Sequence, residues 1–300
     1  MLKVAALILI ILLGYFLKHF GVFKASDYKI ISIIVLKITL PAAIICNFSY
    51  SGFKADSVLL TAAAFMINLI LLFAGYLASK KQPDNKKALY MLNSQGFNIG
   101  IFTLAIVQSF MGSSGVMSTC MFDMGNSLLC TCGSYVITSY ILKTGKNEKG
   151  TVRFIARNLF SSVIFDTFLV LAILLILKIP TPKPILDIAG TISSANTFLA
   201  MLMIGMMVEI KLKKEYLIDS LKIFGIRFLI CIAGAAVLCL PPFLSAETKR
   251  IAVLCLAGPM SSLAPYFTDA CGGDGATAGF MNSISLIISL VITVAILLTT

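Results

Sequence analysis

Two long apolar segments of this chain are interrupted by polar and helix-breaking residues. The first interruption covers residues 93–100 (NSQGFNIG), and the second covers residues 258–265 (GPMSSLAP). Each lies in the fourth of five hydrophobic segments in its own half of the chain. Inside a bilayer, broken helices are tolerated only where protein buries them or where they line a cavity. Breaks at matching positions in two halves therefore predict a central site at which two interrupted helices meet.

The composition predicts an integral membrane protein. Hydrophobic residues make up 59% of the chain and charged residues 12%, whereas soluble domains are about 45–50% apolar and about 25% charged. The net charge of +11 is a feature shared with nucleic-acid-binding proteins. Here the basic residues are concentrated in short loops, which indicates that these loops face an anionic membrane leaflet. We therefore expect the lipid bilayer as a partner and no nucleic acid.

The chain is long enough for ten spanning helices, each requiring about 20 mostly apolar residues. The longest polar stretch follows the fifth span and divides the chain into an N-terminal repeat (residues 1–142), a cytoplasmic loop (143–157) and a C-terminal repeat (158–300). The ten predicted spans are Leu2–Leu17, Tyr28–Asn47, Ser57–Ala78, Ala88–Met111, Val116–Leu142, Asn158–Leu177, Ile185–Val208, Ile218–Leu240, Ile251–Cys271 and Ala276–Thr299.

The distribution of lysine and arginine predicts the orientation. Loops on one side of the predicted membrane carry sixteen of these residues, and the opposite side carries six. Because basic loops stay in the cytoplasm, both termini are predicted outside the plasma (inner) membrane. Five spans per half is an odd number, so the two halves enter the membrane from opposite sides. The predicted fold class is an all-α integral membrane protein with ten transmembrane helices in two inverted five-helix repeats, broken in spans 4 and 9.

The residues at the two breaks differ in kind. Pro259 and Pro265 each remove a backbone donor and clash with the preceding turn, so they predict that span nine opens around residues 260–264. Span four contains no proline, and there Gly96 and Gly100 weaken the helix. The alternative for this Gly-x-x-x-Gly pair is close helix packing.

Polar residues at the breaks predict a site for a small organic anion. Half-helix N-termini at a crossing carry partial positive charge and free N–H groups, which favour a carboxylate. Such a site needs no cofactor and no metal ion. The predicted substrate-binding residues in the breaks are Asn93, Ser94, Asn98, Ser261 and Ser262.

Other polar residues lie inside predicted spans. Asp123 and Asn126 are one helical turn apart in span five, and an intramembrane carboxylate indicates a substrate or coupling site. A structural partner is the alternative for Asp123. Lys37 either pairs with a carboxylate or extends to the interface, and Asp166 is a possible partner of Lys37 or Arg227. Three asparagines are predicted to make interhelical hydrogen bonds: Asn47, Asn68 and Asn196.

Several motifs in order resemble the auxin efflux carrier family over essentially the whole chain. They are GYFLK at residues 14–18, VLKITLPA at 35–42, NIG at 98–100, FDMGN at 122–126 and GGD at 272–274. The resemblance implies crossing helices in spans four and nine, a scaffold, a moving transport part, small organic anions such as auxin or dicarboxylates, and a homodimer. The family usually has a proline in the first crossover, where this chain has Ala105.

The function expected is therefore secondary transport of small organic anions, auxin-like or mono- or dicarboxylates, by an elevator-type mechanism. One alternative is a sodium- or proton-coupled symporter of the bile-acid type, whose ion would bind oxygens near Asn98, Asp123 and Asn126. Another is a receptor built on a transporter fold. An enzyme is not expected, because the chain has neither a His-Glu-x-x-His helix nor a phosphate-binding loop.

Overall fold

The computed structural model describes residues 2–24, 26–47, 55–144, 163–208 and 214–298, and the regular elements in these ranges are helices. We number them in chain order. The first half contains α1 (Leu2–His19), α2 (Tyr28–Asn47), α3 (Ala55–Ser79), α4 (Asp84–Ser94), α5 (Ile99–Gly112) and α6 (residues 113–142). The second contains α7 (Val163–Ile176), α8 (Lys183–Ser193), α9 (Asn196–Met207), α10 (Lys214–Cys239), α11 (Ala246–Leu256), α12 (Ala264–Ala270) and α13 (Gly275–Leu298).

Several helices are suited to a bilayer. Within the described residues, five stretches are long and apolar enough to cross one, and these belong to α2, α3, α8–α9, α10 and α13. Large apolar side chains such as Leu229, Ile232 and Val291 are exposed on their outer faces. Burial in lipid is the condition under which such a surface is stable, because apolar area in water is unfavourable. The chain is thus a helical integral membrane protein.

Both predicted breaks are present. The helix is interrupted between α4 and α5 at residues 95–98, and between α11 and α12 at residues 257–263. The second break begins earlier than expected. Pro265 lies in the first turn of α12, where a proline is tolerated because the first N–H groups of a helix have no intrahelical partner. Pro259 is therefore the proline that lies within the break.

Gly112 has φ +64° and ends α5, within the predicted gap between spans four and five. One further interruption was not predicted. Residues 194–195 form a turn that divides the predicted seventh span into α8 and α9.

A π-helical turn at Val35–Thr39 precedes Pro41 in α2. It accommodates the missing proline N–H, which would otherwise leave a gap in the helical hydrogen bonds.

The helices pack in two groups. In the four-segment group (α1, α2, α7 and α8–α9), α1 lies along α9, and α2 contacts α7 and α8. In the six-segment group (α3, α4–α5, α6, α10, α11–α12 and α13), α10 contacts α3, α4 and α11, and α12 contacts α4 and α13. Thr61 of α3 donates to Met121 O of α6 at 2.7 Å. The groups meet where α2 and α9 contact the 104–128 region of α5 and α6.

The backbones of α1 and α9 touch through two glycines. A Cβ atom placed on Gly205 would lie 2.0 Å from Ile11 O, and one placed on Gly14 would lie 2.2 Å from Leu202 O. No side chain fits at either position without separating the helices. Small residues therefore set the closest approach inside the four-segment group, as is common between helices in lipid.

We expect Gly205→Ala to lower thermal stability, because overpacking typically costs about 1–3 kcal/mol. Unfolding followed by circular dichroism in detergent measures the change. Gly190→Ala is the matched control, since a Cβ on that glycine of α8 would meet no heavy atom within 4 Å. Equal midpoints for the two variants would show that the α1–α9 contact is not tight.

Candidate functional site

The two breaks are in direct contact. Phe97 and Met260 pair as an isolated antiparallel bridge, and the N–H of Asn98 donates to Pro259 O at 2.9 Å. The C-termini of α4 and α11 and the N-termini of α5 and α12 therefore converge on one small region. We call this region, residues 94–99 and 257–264, the crossing.

Gly96 allows the first break to form without a proline. Its φ is +80°, in the left-handed region that glycine adopts without steric cost. A Cβ on this residue would also lie 2.9 Å from Ser261 Cβ in the second break. The residue is therefore required twice, once by backbone conformation and once by the close approach of the other segment.

Asparagine side chains hold the first break. Asn126 of α6 donates to Phe97 O at 2.9 Å and accepts from the N–H of Phe97 at 3.0 Å. Asn68 of α3 accepts from the N–H of Gly96 at 2.7 Å. Both asparagines are buried, with 1% and 0% of their surface exposed. Their amides replace the helical hydrogen bonds that the break removes, which would otherwise leave costly unpaired groups.

The last helix holds the second break in a similar way. Asn282 of α13 donates to Ser261 O at 2.7 Å, and the hydroxyl of Ser285 accepts from the N–H of Met260 at 3.1 Å. The final helix of each half, α6 or α13, thus provides an asparagine to the break in the same half. Neither Asn282 nor Ser285 was predicted, although their spacing of three residues repeats that of Asp123 and Asn126.

Arg227 of α10 joins the two breaks. Its guanidinium donates to Ser94 O at 3.1 Å, to Gly258 O at 3.2 Å and to Pro259 O at 3.4 Å. It also lies 4.2 Å from the centre of the Phe97 ring. Only 4% of the residue is exposed. A single buried cation is therefore shared by carbonyls from both halves of the chain.

The proposed partners of the other intramembrane charges are not found. In the described part of the chain, Asp166 forms no ion pair with Lys37 or Arg227. Lys37 is exposed on α2, as expected for a lysine that extends toward an interface. Arg227 binds carbonyls at the crossing, where a carboxylate partner was predicted. An arginine in an apolar span was the signal that could have identified this role.

Asp123 lies at the junction of the two groups. Its Oδ1 accepts from Asn126 at 2.8 Å, and the side chain is half-buried. A Cβ placed on Gly100 would lie 3.7 Å from Asp123 Oδ2. The same atom would lie 3.3 Å from Leu40 of α2 and 3.7 Å from Ile164 of α7. The carboxylate and the N-terminal turn of α5 therefore border the four-segment group.

Asn93 and Ser94 point back into the helices. The amide of Asn93 donates to Leu89 O at 2.8 Å and to the hydroxyl of Thr268 at 2.9 Å. The hydroxyl of Ser94 donates to Tyr90 O at 2.7 Å. Asn93 directly precedes the crossing and Ser94 is its first residue, and their side-chain donors bind α4 itself and α12.

The other break residues differ in exposure. The hydroxyl of Ser261 accepts from Cys130 at 2.9 Å and from the N–H of Leu263 at 3.2 Å. Ser262 is exposed, whereas Asn98 is buried, with 7% of its surface exposed. Some buried polar atoms at and beside the crossing have no hydrogen-bond partner within the described ranges: Asn93 Oδ1, Gln95 Oε1, Asn98 Nδ2 and Thr103 Oγ1.

Two of the three predicted interhelical asparagines are confirmed. Asn68 donates to Asn126 Oδ1 at 3.3 Å, and Asn196 donates to Gln108 Oε1 at 3.0 Å. Asn47 instead donates within its own helix, to the carbonyl four residues earlier at 2.7 Å. The sequence shows which asparagines are in apolar helices but not which helix face each one occupies.

We expect Gly96→Ala to destabilise the protein, because a left-handed non-glycine residue costs about 1–3 kcal/mol and the added methyl clashes with Ser261. Gly279→Ala on α13 is the control, since nothing lies within 4 Å of its Cβ position. The thermal midpoints of both purified variants provide the comparison. A Gly96→Ala midpoint equal to that of the control would contradict the crossing geometry.

Comparisons with known proteins identify similar membrane transport proteins. Residues 1–158 match the family model described as "Membrane transport protein". An uncharacterized transporter of Methanocaldococcus jannaschii is 25% identical over 220 residues, which cover 70% of each chain. An uncharacterized transporter of Methanothermobacter thermautotrophicus is 24% identical over 240 residues, covering 76% of this chain and 74% of the relative.

Proposed function

Because the chain belongs to the membrane transport protein family, which is of the auxin efflux carrier type, we propose that it carries small organic anions by elevator-type alternating access. The observation that carries the proposal is the crossing, where two broken helices meet deep inside an apolar helical protein. Transporters place substrate sites at such crossings because half-helix termini provide binding groups without charged side chains.

An inverted repeat is supported by the equivalent roles of the two halves. Each half has a broken helix that is followed by a helix with an asparagine on that break, Asn126 in α6 or Asn282 in α13. The preceding long helix in each half, α3 or α10, also binds the crossing through one polar side chain, Asn68 or Arg227. We propose that residues 1–142 and 158–300 are two five-span repeats of opposite orientation.

The substrate carboxylate is proposed to bind at the N-terminus of α5. This helix begins at Ile99 and is long enough for its terminal N–H groups to carry partial positive charge. The amide nitrogen of the buried Asn98, directly before it, has no partner within the described ranges. An unpaired buried donor is costly, so an anion that accepts from Asn98 would be stabilised there. Ser261 and Ser262 complete the proposed site from the second break.

Three other predicted site residues support the site indirectly. Asn126 is occupied by the backbone of Phe97, and the donors of Asn93 and Ser94 bind α4 and α12. We propose that they keep the breaks open, that the substrate carboxylate contacts Asn98 and the serines, and that Asp123 borders the site beside it. This division explains why the crossing contains more polar residues than a small carboxylate can contact.

The two helix groups are proposed as the fixed and moving parts. The six-segment group contains the whole crossing, and it meets the four-segment group beside Gly100 and Asp123. A substrate held at this junction is covered by the four-segment group on one side. Sliding of the six-segment group past α2 and α7 would expose the same site to the other side of the membrane.

Uptake into proteoliposomes tests the proposed function. A panel of labelled acids that includes malate and indole acetate is offered with and without imposed sodium and proton gradients. We expect saturable uptake of at least one acid. Gly96→Ala disturbs the crossing and is expected to lose uptake; because the same change lowers stability, it is assayed as folded protein below its thermal midpoint. Folded wild-type protein that takes up no acid would contradict the organic-anion proposal.

We expect Asp123→Asn to lower the KM for an anionic substrate about three- to tenfold. The change removes a repulsion of about 1 kcal/mol between like charges and keeps an oxygen that accepts from Asn126. Asp187→Asn on the exposed face of α8 is the control. Initial uptake rates across a concentration and pH series provide the measurement. A variant with the wild-type KM and pH profile would assign Asp123 a purely structural role.

A further inference from the structure

We propose that Arg227 is a resident cation of the crossing, and that it occupies the position where an ion-coupled carrier would bind a coupling cation such as sodium. This inference rests on the proposed carrier function, which it deepens by assigning the crossing a mechanism that needs no sodium ion at this point.

The three carbonyls that Arg227 binds come from the interrupted ends of two helices. Ser94 is the last residue of α4, and Gly258 and Pro259 follow α11 by two and three residues. Ser94 O is a carbonyl at a helix C-terminus, and Gly258 O and Pro259 O lie in the unwound segment after α11, so none of the three has an intrahelical partner. Carbonyls of this kind at unwound helices are the groups that coordinate cations in broken-helix transporters.

The charge of Arg227 is balanced by groups of the crossing. Arg227 is buried and permanently protonated, and it forms no ion pair with a carboxylate in the described part of the chain. An unpaired buried charge is strongly unfavourable. The two helix C-termini and the face of the Phe97 ring are the groups that offset it. The guanidinium and the crossing therefore stabilise each other, and the carbonyls are already occupied by a positive charge.

Arg227 and Asp123 lie on different sides of the crossing. A narrow crevice between α10, α11 and α13 borders the guanidinium, and Phe228 and Ser289 are among its lining residues. Asp123 lies instead at the junction with α2 and α7, as shown by the surroundings of Gly100. The guanidinium thus borders α10, α11 and α13, whereas the Asp123 edge of the crossing borders α2 and α7. Arg227 can remain bound to the crossing while the substrate enters and leaves.

The test is the sodium dependence of thermal stability. Wild type, Arg227→Ala and the control Arg250→Ala, which removes an exposed arginine of α11, are unfolded in sodium chloride and in N-methylglucamine chloride at equal ionic strength. We expect no difference for wild type and Arg250→Ala. For Arg227→Ala we expect sodium to raise the midpoint by about 2 °C or more, because the freed carbonyls bind the small cation.

Two results would overturn the inference: stabilisation of the wild type by sodium, or a folded Arg227→Ala variant that responds no more than the control. If Arg227→Ala cannot be purified in either salt, Arg227→Lys decides. If Arg227→Lys can be purified and its midpoint does not depend on sodium, the result supports a required positive charge at this position. If Arg227→Lys cannot be purified either, the result contradicts the inference. These unfolding measurements need no substrate, so a failed uptake assay would count against the proposed function and not against this inference.

Discussion

The need to pair backbone groups away from water determines most of this structure. Each break frees N–H and C=O groups inside an apolar protein, where an unpaired group costs several kcal/mol. Asn68 and Asn126 satisfy the first break, Asn282 and Ser285 satisfy the second, and Arg227 satisfies both. Four helices, α3, α6, α10 and α13, are therefore fixed around the crossing by the same requirement. The polar residues in these otherwise apolar helices are explained by their bonds to it.

On the proposed mechanism, these bonds let the six-segment group move as one body. Its helices share hydrogen bonds through the crossing, whereas α1 and α9 of the four-segment group pack through the backbone at Gly14 and Gly205. The contact between the groups includes Leu40 and Ile164, which are apolar and close to Gly100. Hydrogen bonds also join the two groups away from Gly100: Asn196 of α9 donates to Gln108 Oε1 of α5, and Gln108 donates to Ser193 of α8, each at 3.0 Å. The hydrogen bonds at the crossing favour rigidity within the six-segment group, and on the proposed mechanism the bonds of Gln108 are exchanged when this group moves.

The sequence was sufficient to predict the helical membrane class, the positions of both breaks and the family. The length of the apolar segments, Pro259 and the polar break residues are local features, which can be read from the sequence alone. The partners at the crossing are different in kind. Arg227 lies 133 residues from Ser94 and 31 from Gly258 along the chain. Sequence reasoning therefore identified an arginine that needed a partner and considered a carboxylate. It did not identify carbonyls, because a carbonyl becomes available only after the break has formed.

A tethered cation has a consequence for the transport cycle. A coupling sodium ion binds and leaves with the substrate, so its gradient adds to the driving force, and an empty carrier without sodium has unpaired carbonyls at its crossing. With Arg227 in that position, the carbonyls stay paired whether or not substrate is present. The substrate-free protein can then change conformation without first binding an ion. On the proposed mechanism, the gradient of the organic anion and the membrane potential acting on its charge set the direction of net transport.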